Sequence, residues 1–198
     1  MNTHRSSNPL GQRLLLVAAL LLFPAVVECT PAPQTSAPQL PSSLKIIFLD
    51  VGQGDAAIIR TAEGKVALID AGPSQEIVAQ LSEHGITSLD LVIASHPHAD
   101  HIGGMAAVLR SMPVTYYMDN GVPHTTATYL TLLEELQASD VIYLQATARS
   151  IQLGSVEIRI LPPPPGDPSD QNDSSVGVLV EYGDSQRLPE LRCPALSD

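Results

Sequence analysis

The sequence of 198 residues has no tryptophan, two phenylalanines and five tyrosines. A core must therefore be filled mainly by Leu, Ile, Val and Ala. Cysteine is nearly absent too. Cys29 and Cys193 stand far apart, which excludes a disulfide-dense scaffold and leaves at most one bridge between distant segments. Basic residues are scarce, with 10 Lys and Arg against 21 Asp and Glu, for a formal net charge of −11. A surface of that sign repels nucleic acid at long range. Bound divalent cations would offset part of it, so the balance weighs against a nuclease without excluding one. A hydrophobic content of 44% is that of a globular chain, and no internal repeat is seen.

The longest apolar run, residues 14–27, follows Arg5 and Arg13. It is shorter than the ~20 residues an ordinary bilayer span needs. Residues 1–28 therefore read as a secretory signal peptide, with an uncleaved membrane anchor as the alternative. The chain is expected to be exported, to periplasm, cell envelope or exterior, with no stable span after cleavage. Cys29 stands where a lipoprotein carries its lipidated cysteine, but Glu28 fills a position that normally takes a small residue. Residues 29–43, rich in Pro and Ser, read as an extended linker.

From residue 44 the pattern becomes that of a folded domain. "LKIIFLDVGQGDAAIIR" holds two β-rich runs around a Gly-Gln-Gly-Asp turn, and "KVALIDAG" adds a third, an antiparallel meander. "SQEIVAQLSEHGI" predicts a helix capped by Ser74, with Ile77, Val78 and Leu81 on one face. "LDLVIAS" is a short apolar strand, and a helix starts near Gly103. "TYYMD" is a strand, and "TATYLTLLEELQAS" is a helix with Leu130, Leu133 and Leu136 at helical spacing. "SIQLGSVEIRIL" predicts a hairpin turning at Gly154, and "SVGVLVEYG" one more strand. Such mixing of strands and helices points to an α+β fold with helices layered on sheets.

The stretch "ASHPHADHIGG" at residues 94–104 holds three of the six histidines. A strand ending at Ala94 places His96, His98, Asp100 and His101 in a short loop, where they must crowd together. A divalent metal resolves that crowding. Neutral imidazoles with a carboxylate suit zinc, and also manganese or iron. His96 and His98 can grip one ion from the same side, with Asp100 and His101 facing a second, as in two-metal hydrolytic sites. Asp100 is thus both ligand and candidate catalytic residue. Gly103 and Gly104 let the following helix approach closely. The bland alternative is a solvated histidine-rich loop, disfavoured by the buried strand before it and the glycine pair after it.

"SHPHADHIGG" resembles the signature of the metallo-β-lactamase superfamily. With "LKIIFLDVGQGDAAII", "VALIDAG" and "NDSSVGVLVEYG" it resembles the ComEC-like branch, the competence-protein hydrolase domain and its secreted relatives. The resemblance spans residues 44–183 and implies an αββα sandwich, one or two Zn2+ or Mn2+ ions and a metal-bound hydroxide as nucleophile. It implies His96 and His98 as ligands of the first metal, Asp100 and His101 as ligands of the second, and Asp70 as a buried aspartate holding backbone amides beneath the loop. Asn172 aligns where many members carry a third histidine. His124, before a helix, either faces the cleft to touch substrate or metal or is a solvent-exposed residue. Asp55 is either a turn residue or one that shapes the cleft.

After "VLVEYG" the family pattern expects a further strand ending in Thr-Gly-Asp, whose aspartate bridges two metals, and then a later histidine. Residues 184–198, "DSQRLPELRCPALSD", carry neither. They read as a tail outside the family pattern, and the sandwich is expected to be incomplete, with an exposed edge and apolar face that favour self-association. Two functions therefore compete. One is a metal-dependent hydrolase acting on phosphodiesters, nucleic acid among them, or on a related ester. The other is a catalytically impaired fragment that keeps metal ligands but lacks the bridging aspartate.

Overall fold

The computed structural model describes residues 43–163 and 171–183. Residues 1–42, which hold the expected signal peptide (1–28), Cys29 and nearly all of the expected 29–43 linker, and residues 184–198, the expected tail with Cys193, lie outside the described residues.

Two sheets pack face to face. The larger has six strands in sequential order: β1 (Lys45–Phe48), β2 (Ala57–Arg60), β3 (Val66–Ile69), β4 (Leu89–Ile93), β5 (Val114–Asp119) and β6 (Ile142–Gln145). The first three form the expected antiparallel meander, and β3 through β6 run parallel. The smaller sheet is an antiparallel trio, β7 (Arg149–Leu153), β8 (Val156–Leu161) and β9 (Gly177–Tyr182), with the β7–β8 turn at Gly154.

Period-two alternation explains the layers. Ile58, Leu68 and Val92 face the helices, whereas Ile59, Ala67, Leu91 and Ile93 face the second sheet. From the other side, β8 contributes Val156, Ile158 and Ile160 to the intersheet core. Among the described residues the helices cover one face of the six-stranded sheet: α1 (Glu76–Glu83), α2 (Ala99–Ile102), α3 (Met105–Ser111) and α4 (Ala127–Ala138). The described architecture is an α+β sandwich of one mixed and one antiparallel sheet.

Four local features differ from the sequence expectation. The cap of α1 is Gln75, without a side-chain cap bond, while Ser74 Oγ accepts from Glu76 N at 3.3 Å. Helix begins within the histidine motif, at Ala99 rather than Gly103. In α4 the buried anchor is Leu132, with Tyr129 and Leu136 beside it, and Leu130 is half exposed. Strand β6 has no alternating pattern because it lies at the sheet edge, with Ile142 and Tyr143 half exposed.

Candidate metal centre

Parallel strands deliver their following loops to one edge, where α/β sheets place ligands. Here the ends of β3, β4 and β5 bring together Asp70, the segment from Ser95 to His101 and the loop holding His124. The β1–β2 turn adds Gln53 and Asp55, and the turn entering β9 adds Ser175.

Asp70 sits beneath the cluster, buried, with a left-handed backbone at φ 56°. Its Oδ1 accepts from Ser95 N at 2.7 Å. Its Oδ2 accepts from Ser95 Oγ at 2.7 Å and from His101 Nδ1 at 2.8 Å. Ala71 N donates to the His101 carbonyl at 2.7 Å, and Gly104 N to that of Gly72 at 3.2 Å. A Cβ on Gly103 would strike the Pro73 carbonyl, and one on Gly104 the Ala71 carbonyl. The glycine pair thus lets the start of the helical segment lie against the β3–α1 loop.

Above this base the imidazoles pack edge-on and tilted against one another. His96 and His101 have ring centroids 4.1 Å apart, and His96 and His98 4.7 Å apart. His96 Nε2 faces His98 Nδ1 at 3.2 Å. His96 Nδ1 contacts the hydroxyls of Ser95 at 3.0 Å and Ser175 at 3.3 Å. Burial is the main force lowering the pKa of His96, helped by the two neighbouring histidines. The hydrogen bond to Asp70 chiefly raises that of His101.

The remaining residues lie at different depths. Asp100 is half-buried, and Gln53 Nε2 donates to its Oδ2 at 3.4 Å. Asp55 is exposed, its Oδ2 4.0 Å from His101 Nδ1. His124 packs edge-on to His98 with centroids 6.2 Å apart, and its Nδ1 accepts from Thr126 N at 3.3 Å. Asn172 is exposed and touches the cluster indirectly, its carbonyl accepting from Ser175 Oγ at 2.7 Å. Ser95, Ser175 and Gln53 are parts of the site that the sequence reading passed over. Ser95 had one signal, its position next to His96 at the end of an apolar strand.

The donor types suit a divalent metal, and one pair of them has a matching spacing. Two nitrogen ligands on a tetrahedral zinc with bonds near 2.0–2.1 Å lie about 3.3 Å apart, close to the 3.2 Å between His96 Nε2 and His98 Nδ1. His101 Nδ1 is bonded to the Asp70 carboxylate, a kind of partner that metal-ligating histidines usually have on the ring nitrogen away from the metal. As the side chains stand, the rings lean on one another. Among the described residues no three His, Cys, Asp or Glu are arranged around one metal position.

The family model for the metallo-beta-lactamase superfamily matches residues 49–184. The ComE operon protein 3 of Bacillus subtilis is 25% identical over 177 residues, covering 74% of this chain and 22% of that protein. Ribonuclease Z of Methanosarcina mazei is 28% identical over 103 residues, covering 45% and 34%. Hydroxyacylglutathione hydrolase 2 of Vibrio vulnificus is 30% identical over 56 residues, covering 28% and 22%. The chain thus spans between a fifth and about a third of the length of these relatives. Among solved structures, a metallo-beta-lactamase HARLDQ motif mutant of Cronobacter sakazakii is 15% identical at a TM-score of 0.48, covering 73% of this chain and 60% of that one.

Proposed function

The chain belongs to the metallo-β-lactamase superfamily, and from that premise we propose that it is a metal-dependent hydrolase of phosphodiesters or a related ester, in the ComEC-like branch. The observation that carries this is the facing pair His96 Nε2 and His98 Nδ1, with the far nitrogen of His96 bonded to serine hydroxyls. His96 and His98 would hold a first Zn2+ or Mn2+, and Asp100 and His101 a second. A bound divalent ion supplies Lewis acidity and a water that ionises near neutral pH. Asp70 fixes the ring of His101, and Gln53 steadies Asp100. His124 accepts at Nδ1 from Thr126 N. Its neutral tautomer therefore carries the proton on Nε2, fit to donate to a substrate oxygen beside His98. Asp55 at the exposed rim shapes the entrance, and Asn172 acts through its carbonyl. The likeness to ComE operon protein 3 supports the branch, and the likeness to ribonuclease Z supports a phosphodiester.

We further propose that the chain is exported. The support is the order of Arg5 and Arg13, the apolar run 14–27 and the Pro- and Ser-rich stretch after it. Separately, among the described residues, which do not include that run, no helix is long and apolar enough to cross a membrane. Self-association is part of the same reading, supported by Phe48, 82% exposed, and Ile46 on the outermost strand of the larger sheet.

One observation favours a second reading, an impaired hydrolase. Among the described residues no third donor joins the His96–His98 pair around one metal position. Catalytic zinc commonly takes three protein ligands. In that reading the second ion binds weakly and turnover is slow.

Metal analysis after equilibration with zinc, on the chain and on H96A/H98A, tests the metal. The variant should lose the bound ion, and equal content would refute the reading. Hydrolysis of a chromogenic phosphodiester with added zinc or manganese tests the reaction. Metal-stimulated turnover supports the hydrolase, and stoichiometric metal with no turnover supports the impaired form.

A further inference from the structure

Ser175 belongs to the turn that enters β9, in the smaller sheet, yet its Oγ reaches His96 of the larger one at 3.3 Å. The roles of the hydroxyl protons are settled by their other partners. Ser175 Oγ donates to the Asn172 carbonyl at 2.7 Å, and Ser95 Oγ donates to the Asp70 carboxylate at 2.7 Å. A carbonyl and a carboxylate can only accept. Both serine oxygens therefore meet His96 Nδ1 as acceptors, and Nδ1 must carry the proton. The lone pair of His96 then lies on Nε2, the nitrogen facing His98.

We propose that Ser175 is a positioning residue that holds His96 in its Nδ1–H tautomer and so presents Nε2 to a divalent metal. The proposal rests on the metal reading above and adds a dependence on the second sheet that the histidine motif does not contain. The Ser95 oxygen is shared, since it also lies 3.5 Å from His101 Nδ1, whereas Ser175 serves His96 alone of the three motif histidines. Its place is fixed by backbone contacts on both sides. Val176 N donates to the Ser95 carbonyl at 2.9 Å, and Asn120 Nδ2 donates to the Ser174 carbonyl at 2.9 Å. His96 is 4% exposed, so bulk water does not readily replace the acceptor.

The test uses the full chain in two states. In the metal-free protein, long-range proton–nitrogen NMR of the histidine rings, with His96 assigned by H96Q, reports the tautomer. Zinc affinity is read by competition with a chromophoric chelator. The wild type should show Nδ1–H at His96. S175A keeps the Ser95 acceptor at 3.0 Å, so it should admit a minor population of the Nε2–H form and bind zinc more weakly, by up to about tenfold, the size of effect that outer partners of metal ligands have. S175T, which keeps the hydroxyl, should restore both. An Nε2–H tautomer in the wild type overturns the proposal without need of any variant, so a failure of S175A to fold leaves it decidable. Unchanged tautomer and affinity in S175A overturn it as well. A wild type that binds no zinc while His96 remains Nδ1–H overturns the metal reading instead, and sustains the tautomer assignment.

Discussion

Glu63 and Ser155 join the two sheets at the end of β2, far along the chain from each other. The Glu63 Oε2 accepts from Ser155 N at 3.1 Å and from Ser155 Oγ at 3.2 Å, linking the β2–β3 turn to the β7–β8 turn. Gly154, between those last two strands, has φ +59° and a Cβ there would press on the Glu63 carboxylate and the Thr61 hydroxyl. The bonds from Thr61 and then from Ser155 hold the pKa of Glu63 down at about 2, from an ordinary 4.5.

A lowered carboxylate pKa means that the folded state binds its proton more weakly than the unfolded state. The stabilisation is then fully present above the unfolded value near 4.5 and is lost as pH falls through about 2. E63Q should therefore melt below the wild type at pH 6, and the gap should close on acidification across that window. Thermal melts at stepped pH measure it, and a gap independent of pH would refute the linkage. G154A should cost about 1–2 kcal/mol from the left-handed backbone alone, read by urea denaturation.

Asp119 shows the opposite sign. Burial raises its pKa above the ordinary 3.8, against the lowering effect of hydrogen bonds from Tyr143 and Gly121. Ionised Asp119 thus destabilises the fold at neutral pH, and the penalty disappears below the unfolded pKa. Both donors, Tyr143 Oη at 2.7 Å and Gly121 N at 2.8 Å, bond to the same Oδ1. An asparagine keeps that oxygen. D119N should be more stable than the wild type in urea at pH 7, with the advantage shrinking toward pH 4. A variant less stable at both pH values would sink this account.

What could be read from residues alone follows physical lines. The β1–β3 meander and the β7–β8 hairpin carry alternation and turn residues, so their strands stood out in the sequence. Strand β6 did not, because an edge strand need bury little and Ile142 and Tyr143 are half exposed. The α4 stripe was misplaced because leucines at 130, 132, 133 and 136 offer two overlapping helical faces, and only packing against the sheet selects Leu132. The histidine motif was visible because its residue types are rare and adjacent. Ser175 was not, because its partner His96 lies 79 positions away and serine has many ordinary uses.

Export has a direct readout. Arg5 and Arg13 precede a 14–27 apolar run followed by a Pro- and Ser-rich stretch, the order of a cleavable signal. Expression with secretion machinery should give a mature chain beginning between Ala25 and Thr30. Intact-mass measurement on envelope and external fractions checks it. A dominant mass that keeps residues 1–24 would favour the membrane anchor, and a lipid-sized increment on Cys29 would show lipidation.

Asp70 allows stability and metal binding to be separated. Its Oδ1 satisfies the Ser95 amide, and its Oδ2 orients His101. D70A removes both, together with the bond that Oδ2 accepts from Ser95 Oγ, and places alanine at φ 56°. An unsatisfied buried N–H costs ~1–3 kcal/mol, and the left-handed backbone adds ~1–2 kcal/mol for alanine. Asparagine tolerates that backbone, and its side-chain oxygen can still accept from Ser95 N. Its NH2, however, takes the place of Oδ2 and meets two donors, the Ser95 hydroxyl, which can rotate to accept from it, and the His101 Nδ1–H, which cannot. The ring must then turn or change tautomer, and its Nε2 no longer presents a lone pair in the same place. D70N should therefore unfold in urea near the wild-type midpoint yet bind zinc about 10–100-fold more weakly, whereas D70A should lose both. Wild-type zinc affinity in D70N would show that the carboxylate serves the backbone alone. A midpoint as low as that of D70A would show that its charge, and not its shape, holds the loop.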